Sequence, residues 1–118
     1  MPSTASECIF CKIAAGAVAT EFVHEDEQCV AFADLDPQAP THMLIIPREH
    51  IDSVDKAEAR HGGLLGHLLL TAGEIARKKG FSADGYRIVI NTNGDGGQTV
   101  FHLHVHLLAG RKLTFPPG

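Results

Sequence analysis

Cysteine is scarce and odd in number: Cys8, Cys11 and Cys29 are too few to staple a small secreted fold. Tryptophan is absent, and so is any run of about 18 apolar residues that would cross a bilayer as a helix. There is no basic excess either. Ten Lys and Arg stand against fourteen Asp and Glu, a net charge of −4 with a pI near 6.0. That balance argues against nucleic acid or a membrane surface as partner, because both select basic patches. The opening MPSTASECIFCK lacks the basic start and apolar core of a secretory signal. Repeats, low-complexity tracts and linkers are missing too. What remains is one domain spanning 1–118, expected in the cytoplasm, with a 44% hydrophobic content that can bury a core. Residues 1–7 are small and polar and are expected to fray.

Apolar periodicity then places the elements. CIFCKIAAG reads as a short helix ended by Gly16. EFVHEDEQCVAFADL reads as a hairpin turning at Glu25–Gln28, and HMLIIP as a buried strand closed by Pro47. Leu64 to Lys79 has helical spacing, a basic last turn and Gly80 at the position of a left-handed cap. YRIVINT is a further strand, GDGG a tight loop, and TFPPG can continue neither helix nor central strand. Strands outnumber helices and most are joined by short turns. An α+β domain is expected, an antiparallel sheet with a long helix and a short N-terminal helix packed on it.

One strand stands apart. In VFHLHVHLLAG, residues 100–110, histidines occupy positions 102, 104 and 106 between apolar neighbours. Strand side chains alternate faces, so the three histidines share one face and Leu103, Val105 and Leu107 the other. A single metal ion cannot be held by all three. The outer Cβ atoms lie roughly 13 Å apart, and an imidazole reaches a metal only about 5–6 Å from its Cβ. A phosphate can instead lie along the row. Imidazole titrates near neutrality, so one ring can be a neutral nucleophile while a neighbour donates a proton. Just upstream, NTNGDGGQT brings Gly94, Gly96 and Gly97, whose backbone N–H groups can approach an anion closely. Asn91, Gln98 and Thr99 add neutral donors.

GDGGQTVFHLHVHLL resembles the histidine triad family, whose signature is three histidines alternating with apolar residues. AFADLDPQAPTHMLIIPREHI is similar to that family's nucleotide-binding strand and loop, and LLAGRKLTFPPG to the C-terminus of its phosphoramidase branch, bacterial type. The resemblance runs over about residues 8–118. It implies a homodimer with a continuous sheet, and His104 as the nucleophile that attacks the α-phosphorus of a purine nucleotide. It implies that His106 donates to the phosphate oxygens, with His42 as accessory histidine. Asp34 falls on the ribose-binding carboxylate, and Phe32, Leu35, Ile9, Phe10 and Ile13 on the apolar base pocket. Asn91, Gly97, Gln98 and Thr99 fall on phosphate-contacting positions. Thr99 stands where serine is common, and Thr114 and Phe115 replace a histidine and a tryptophan of animal members, which bears on the leaving group. The implied reaction is hydrolysis of the P–N bond of purine nucleoside phosphoramidates without a catalytic cofactor. Dinucleoside polyphosphate hydrolysis and a nucleotide-binding interaction role remain alternatives.

Cys8 and Cys11 form a C-x-x-C that on a helix puts both sulfurs on one side. Alone it is a modest zinc signal, since zinc needs two further ligands. Bacterial members of the family and related uridylyltransferases complete such a site at the positions of His50 and His102. The resemblance therefore implies a structural Cys2His2 zinc site. Cys29 is expected in the core, and His24, His61 and His67 on the surface or a helix face.

Overall fold

Apolar segments broken by turn residues pair into a five-stranded antiparallel sheet. The protein's structure, a computed structural model, describes residues 7–118. Strands β1 (Phe22–Glu25), β2 (Cys29–Ala33), β3 (Thr41–Pro47), β4 (Arg87–Val89) and β5 (Val105–Ala109) lie in the order β1-β2-β3-β5-β4. Helix α1 (Ile9–Ala14) packs on one face and α2 (Gly62–Lys79) on the other. The fold is α+β, as expected. The expected fraying of 1–7 concerns residues 1–6, which lie outside the described residues, and the exposed Glu7. Among the described residues no helix is long and apolar enough to cross a membrane.

The central strands read as continuous apolar runs because both their faces are buried. Cys29, Ala31, Ile45, Val105 and Leu107 point to α2, meeting Leu68, Ala72 and Ile75. Val30, Phe32, Leu44 and Ile46 point to α1, meeting Cys8, Phe10 and Ile13. α2 starts two residues earlier than its apolar spacing suggests. It ends as expected: Gly80, at φ +84°, donates its N–H to the carbonyls of Ala76 and Arg77.

Three expectations need correction. The histidine strand pairs only from Val105, so His102, in a bend, and His104 precede the ladder. The β3–β5 register, which sets Ile45 opposite Val105, brings Pro47 opposite Leu103. Pro47 has no N–H to donate, and the N–H of Leu103 goes instead to the carbonyl of Ile51 at 2.7 Å. YRIVINT pairs over Arg87–Val89 alone. His61 is buried rather than on the surface, its Nε2 2.8 Å from the Glu49 carboxylate.

The β1–β2 turn is held by Asp26. Its Oδ1 accepts from the N–H groups of Gln28 and Cys29, and its Oδ2 faces Nε2 of His24 at 2.7 Å and of His67, on α2, at 2.8 Å. Burial pushes this carboxyl up, but the bonds from His24, His67 and the two backbone N–H groups outweigh it and hold Asp26 well below the usual carboxylate range. A depressed folded-state value contributes stability above the unfolded value, about 3.9, and that contribution is lost as pH falls below it. Asp26→Ala is expected to cost about 2–3 kcal/mol at neutral pH. Urea melts from pH 7 to pH 3 are expected to show wild type losing stability faster than the variant. Parallel curves would remove this role from Asp26.

Candidate active site and metal centre

Alternation puts His102, His104 and His106 on the α1 side of the sheet, although only His106 belongs to β5. Leu103, Val105 and Leu107, all buried against α2, lock the intervening positions. Phe10 of α1 sets its ring edge against His104 and His102, with centroids 5.1 and 5.9 Å away. His42 enters from β3, on the same face as Leu44, which pairs with His106.

Backbone contacts decide which nitrogen of each ring carries the proton. Nδ1 of His104 lies 2.8 Å from the carbonyl of His102, so it must donate, and Nε2 of His104 keeps a free lone pair. The N–H of Gln38 donates to Nδ1 of His42 at 3.0 Å, so the His42 proton sits on Nε2. That nitrogen lies 2.9 Å from Nδ1 of His106, which must accept, leaving the His106 proton on its Nε2. This Nε2 is buried and has no hydrogen-bond partner in the protein. A buried N–H without a partner is costly, and this one is a donor left available beside the His104 ring. Burial pushes His104 below its ordinary value. Burial, then the neighbouring His104 and His42, brings His106 down to about 4. Both rings are therefore neutral at pH 7, one with an unpaired Nε2 lone pair and the other with an unpartnered N–H, their centroids 4.9 Å apart.

Asp34 is half-buried at the end of β2; its Oδ1 accepts from the N–H of Asp36, and its Oδ2 lies 3.4 Å from Nε2 of His42. Of the expected base-pocket residues, Phe10, Ile13 and Phe32 are buried together in the α1 cluster. Ile9 is 45% exposed and Leu35 fully exposed. The glycine loop requires glycine for steric reasons: a Cβ on Gly96 would meet the Thr92 carbonyl oxygen at 2.4 Å, and Gly97 has φ +87°. Asn91 is half-buried and Thr99 exposed in this loop. Gln98 is buried and spends its amide internally. It accepts from the N–H of Asn93 and donates to the carbonyls of Asp52 and Val100, at 2.8, 2.7 and 3.1 Å. Two surface clefts lie apart from His42, His102, His104 and His106; the larger of the two, about 600 Å³, is lined by Phe81, Tyr86, Arg87, Arg111 and Leu113 among others.

Beside the row, Cys8, Cys11, His50 and His102 bring one ligand atom each within 4.8 Å of the others. Nδ1 of His102 lies 3.2 and 3.5 Å from the two sulfurs, and Nδ1 of His50 lies 3.3 Å from Cys11 Sγ. Ligands at 2.0–2.3 Å from a tetrahedral zinc are separated by roughly 3.3–3.8 Å, so these residues fit that ion. The backs of both rings are committed: Nε2 of His102 to the carbonyl of Pro47 at 2.8 Å, Nε2 of His50 to the Asp52 carboxylate at 2.7 Å. Such partners aim the opposite nitrogen at a metal. Burial brings His102 down to about 4, which keeps it neutral for ligation. The cluster His24, Asp26 and Cys29 also gathers ligand atoms. Its His24–Asp26 separation of 2.7 Å is that of a hydrogen bond rather than of two ligands on one ion. Cys29 itself is fully buried, and burial and then Asp26 push its thiol up to about 12.

Sequence reasoning missed the Gln38 amide behind His42 and the Asp52 carboxylate behind His50. The first is a backbone group with no side-chain signature. The second was open to view in the His-x-Asp spacing of residues 50–52.

Residues 15–113 match the HIT domain family, and this chain belongs to that family. It is 52% identical over 112 residues to a HIT-like protein of Synechococcus elongatus, covering 95% of this chain and 97% of that one. It is 48% identical over 115 residues to a 14 kDa zinc-binding protein of Zea mays, covering 96% of this chain and 89% of the other. The crystal structure of a HIT family hydrolase from Legionella pneumophila superposes with a TM-score of 0.92 at 48% identity, covering 94% of this chain and 99% of the other.

Proposed function

We propose that this chain is a purine nucleoside phosphoramidase of the nucleotide-binding branch of its family. The observation that carries the reading is the pairing of a free His104 Nε2 lone pair with the unpartnered, buried N–H of His106. His104 Nε2 attacks the α-phosphorus, the P–N bond breaks, and the departing nitrogen takes the bonding pair and a proton from solvent to become an amine. The N–H of His106, held by the His42 and Gln38 relay, donates to a phosphoryl oxygen as charge builds there. Water then attacks the phosphorus of the nucleotidyl-histidine, the Nε2–P bond breaks with its electron pair returning to His104, and the nucleoside monophosphate leaves as the proton from water passes to solvent. Asp34 grips the ribose hydroxyls, Phe10, Ile13 and Phe32 with Ile9 and Leu35 flank the base, and Asn91, Gly97 and Thr99 meet the phosphate.

Cys8, Cys11, His50 and His102 would hold zinc. Four protein ligands leave no open coordination position, so a zinc ion there cross-links the chain and takes no part in the chemistry. The hydrolase from Legionella and the zinc-binding protein of maize support these two parts of the reading. A homodimer is the expected assembly. Leu69 and Leu70 of α2 and Tyr86 and Ile88 at the open β4 edge are exposed and suit a second copy. The reading carries a cytoplasmic location, with neither nucleic acid nor membrane as partner.

The test is release of a fluorogenic amine from adenosine phosphoramidate, with mass spectrometry of the enzyme after an alkaline denaturing quench, since a phosphorus–histidine bond is labile in acid. Turnover and an adenylyl adduct on His104 are the expected result. Cleavage of dinucleoside polyphosphates alone would overturn the leaving group, and nucleotide binding with no cleavage of either would overturn the hydrolase.

A further inference from the structure

His102 sits at the junction of the metal centre and the active site, and every polar group that the structure shows engaged on it is buried. Its Nδ1 faces Cys8 and Cys11, its Nε2–H goes to the Pro47 carbonyl, and its own carbonyl receives the Nδ1–H of His104. One residue thus fixes the proposed nucleophile's tautomer by its backbone and belongs to the metal centre by its ring. The segment is clamped again one residue on, where the N–H of Leu103 meets the carbonyl of Ile51, between His50 and Asp52.

A second line runs from the same centre to the glycine loop. His50 Nε2 holds the Asp52 carboxylate, and the Asp52 carbonyl receives the side-chain amide of the buried Gln98 at 2.7 Å. Gln98 in turn accepts from the N–H of Asn93 across the GDGG turn. Both lines start at a histidine of the four-residue cluster, one on each side of it, and end at a different part of the phosphate site.

We propose that the Cys8–Cys11–His50–His102 centre is the positional support of the active site, fixing His104 through the His102 carbonyl and the glycine loop through Asp52 and Gln98. Metal occupancy then sets turnover although the ion touches no substrate. His102 and Gln98 are positioning residues. This rests on the phosphoramidase reading for its activity readout, but its structural readouts stand without it.

The experiment compares the full chain loaded with zinc, stripped by chelation and reloaded. It measures kcat, the ¹⁵N signature of the His104 ring and hydrogen exchange at the Asn93 amide. Stripping is expected to lower kcat roughly 10- to 100-fold, the scale of a small misplacement of a reacting group. It is also expected to turn the single His104 tautomer into a mixture and to speed exchange at Asn93, all restored by zinc. A stripped, folded protein with unchanged kcat or an unchanged His104 signature overturns the proposal. If stripping unfolds the chain, zinc-loaded Gln98→Glu decides. It keeps the acceptor for Asn93 and loses the donor to Asp52, so faster Asn93 exchange and lower kcat are expected, and no change in both overturns the proposal. If loaded wild type never cleaves phosphoramidate, the functional reading fails alone. The His104 and Asn93 signals then still report whether the metal supports the site.

Discussion

Replacing His104 with alanine is expected to lower phosphoramidate turnover by about 10⁴-fold or more, the scale of deleting a covalent nucleophile. The fold and the metal centre should survive. The His104 side chain makes one hydrogen bond, from Nδ1 to the backbone carbonyl of His102, and none to the ligand atoms of Cys8, Cys11, His50 or His102. The variant should therefore bind adenosine monophosphate and keep the metal centre while losing the adenylyl adduct in the mass spectrum. The shape left beside Phe10 is that of an imidazole, so added imidazole should restore part of the rate. His106→Ala removes a donor rather than the nucleophile, and a smaller loss of about 10²–10³-fold is expected. The pH dependence has a definite sign. Burial lowers His104, and burial with its neighbours lowers His106 to about 4, so both rings stay neutral through the physiological range. In wild type kcat/KM is expected to hold level around pH 7 to 8 and to fall in acid, at a pH below that of a free imidazole, as protonation removes the lone pair on His104. Turnover of His104→Ala within tenfold of wild type would place the nucleophile elsewhere.

Much of this site was legible because its residues obey the strand period. Histidines at 102, 104 and 106 face α1 and Leu103, Val105 and Leu107 face α2, as alternation requires, even where the ladder has not yet begun. Gly80 and the C-x-x-C pair were equally open to local reading, since a left-handed cap and a pair of sulfurs on one helix face are set by near neighbours. Contacts formed at long range were not. Gln98 looks like a phosphate donor in the chain, yet its amide turns inward because Asp52, 46 positions away in sequence, presents a carbonyl. His61 looks like a surface residue until Glu49 meets its Nε2, and Asp26 looks like an ordinary turn residue until α2 brings His67 to it. The orientation of the His42–His106 relay depends on the backbone N–H of Gln38, and no residue type announces a backbone donor. Chemistry was readable where local periodicity aims side chains, and unreadable where tertiary packing decides which way an amide or a proton points.

The face opposite the histidines sets the other large effect. Leu68 lies in the middle of α2, is fully buried, and packs in the cluster that contains Ile45, Leu103, Val105 and Leu107. Leu68→Ala removes apolar contact and leaves a hole that a helix packed across β3 and β5 closes poorly. A loss of about 3–4 kcal/mol is expected, or a fall in Tm of roughly 12–16 °C for a domain of this size. The three residues that alternate with the histidines share this cluster, so the hole opens behind the histidine row rather than beside it. At 25 °C the folded fraction should still cleave phosphoramidate at nearly the wild-type rate, because His102, His104 and His106 keep their bonds to Pro47, the backbone and His42. A thermal melt read beside kcat at 25 °C checks both halves. If Tm falls and kcat stays level, the core supports the row as a rigid plate. If kcat drops tenfold in protein that is still folded, the aim of the histidines depends on packing density behind them, and hydrogen bonds alone do not hold it.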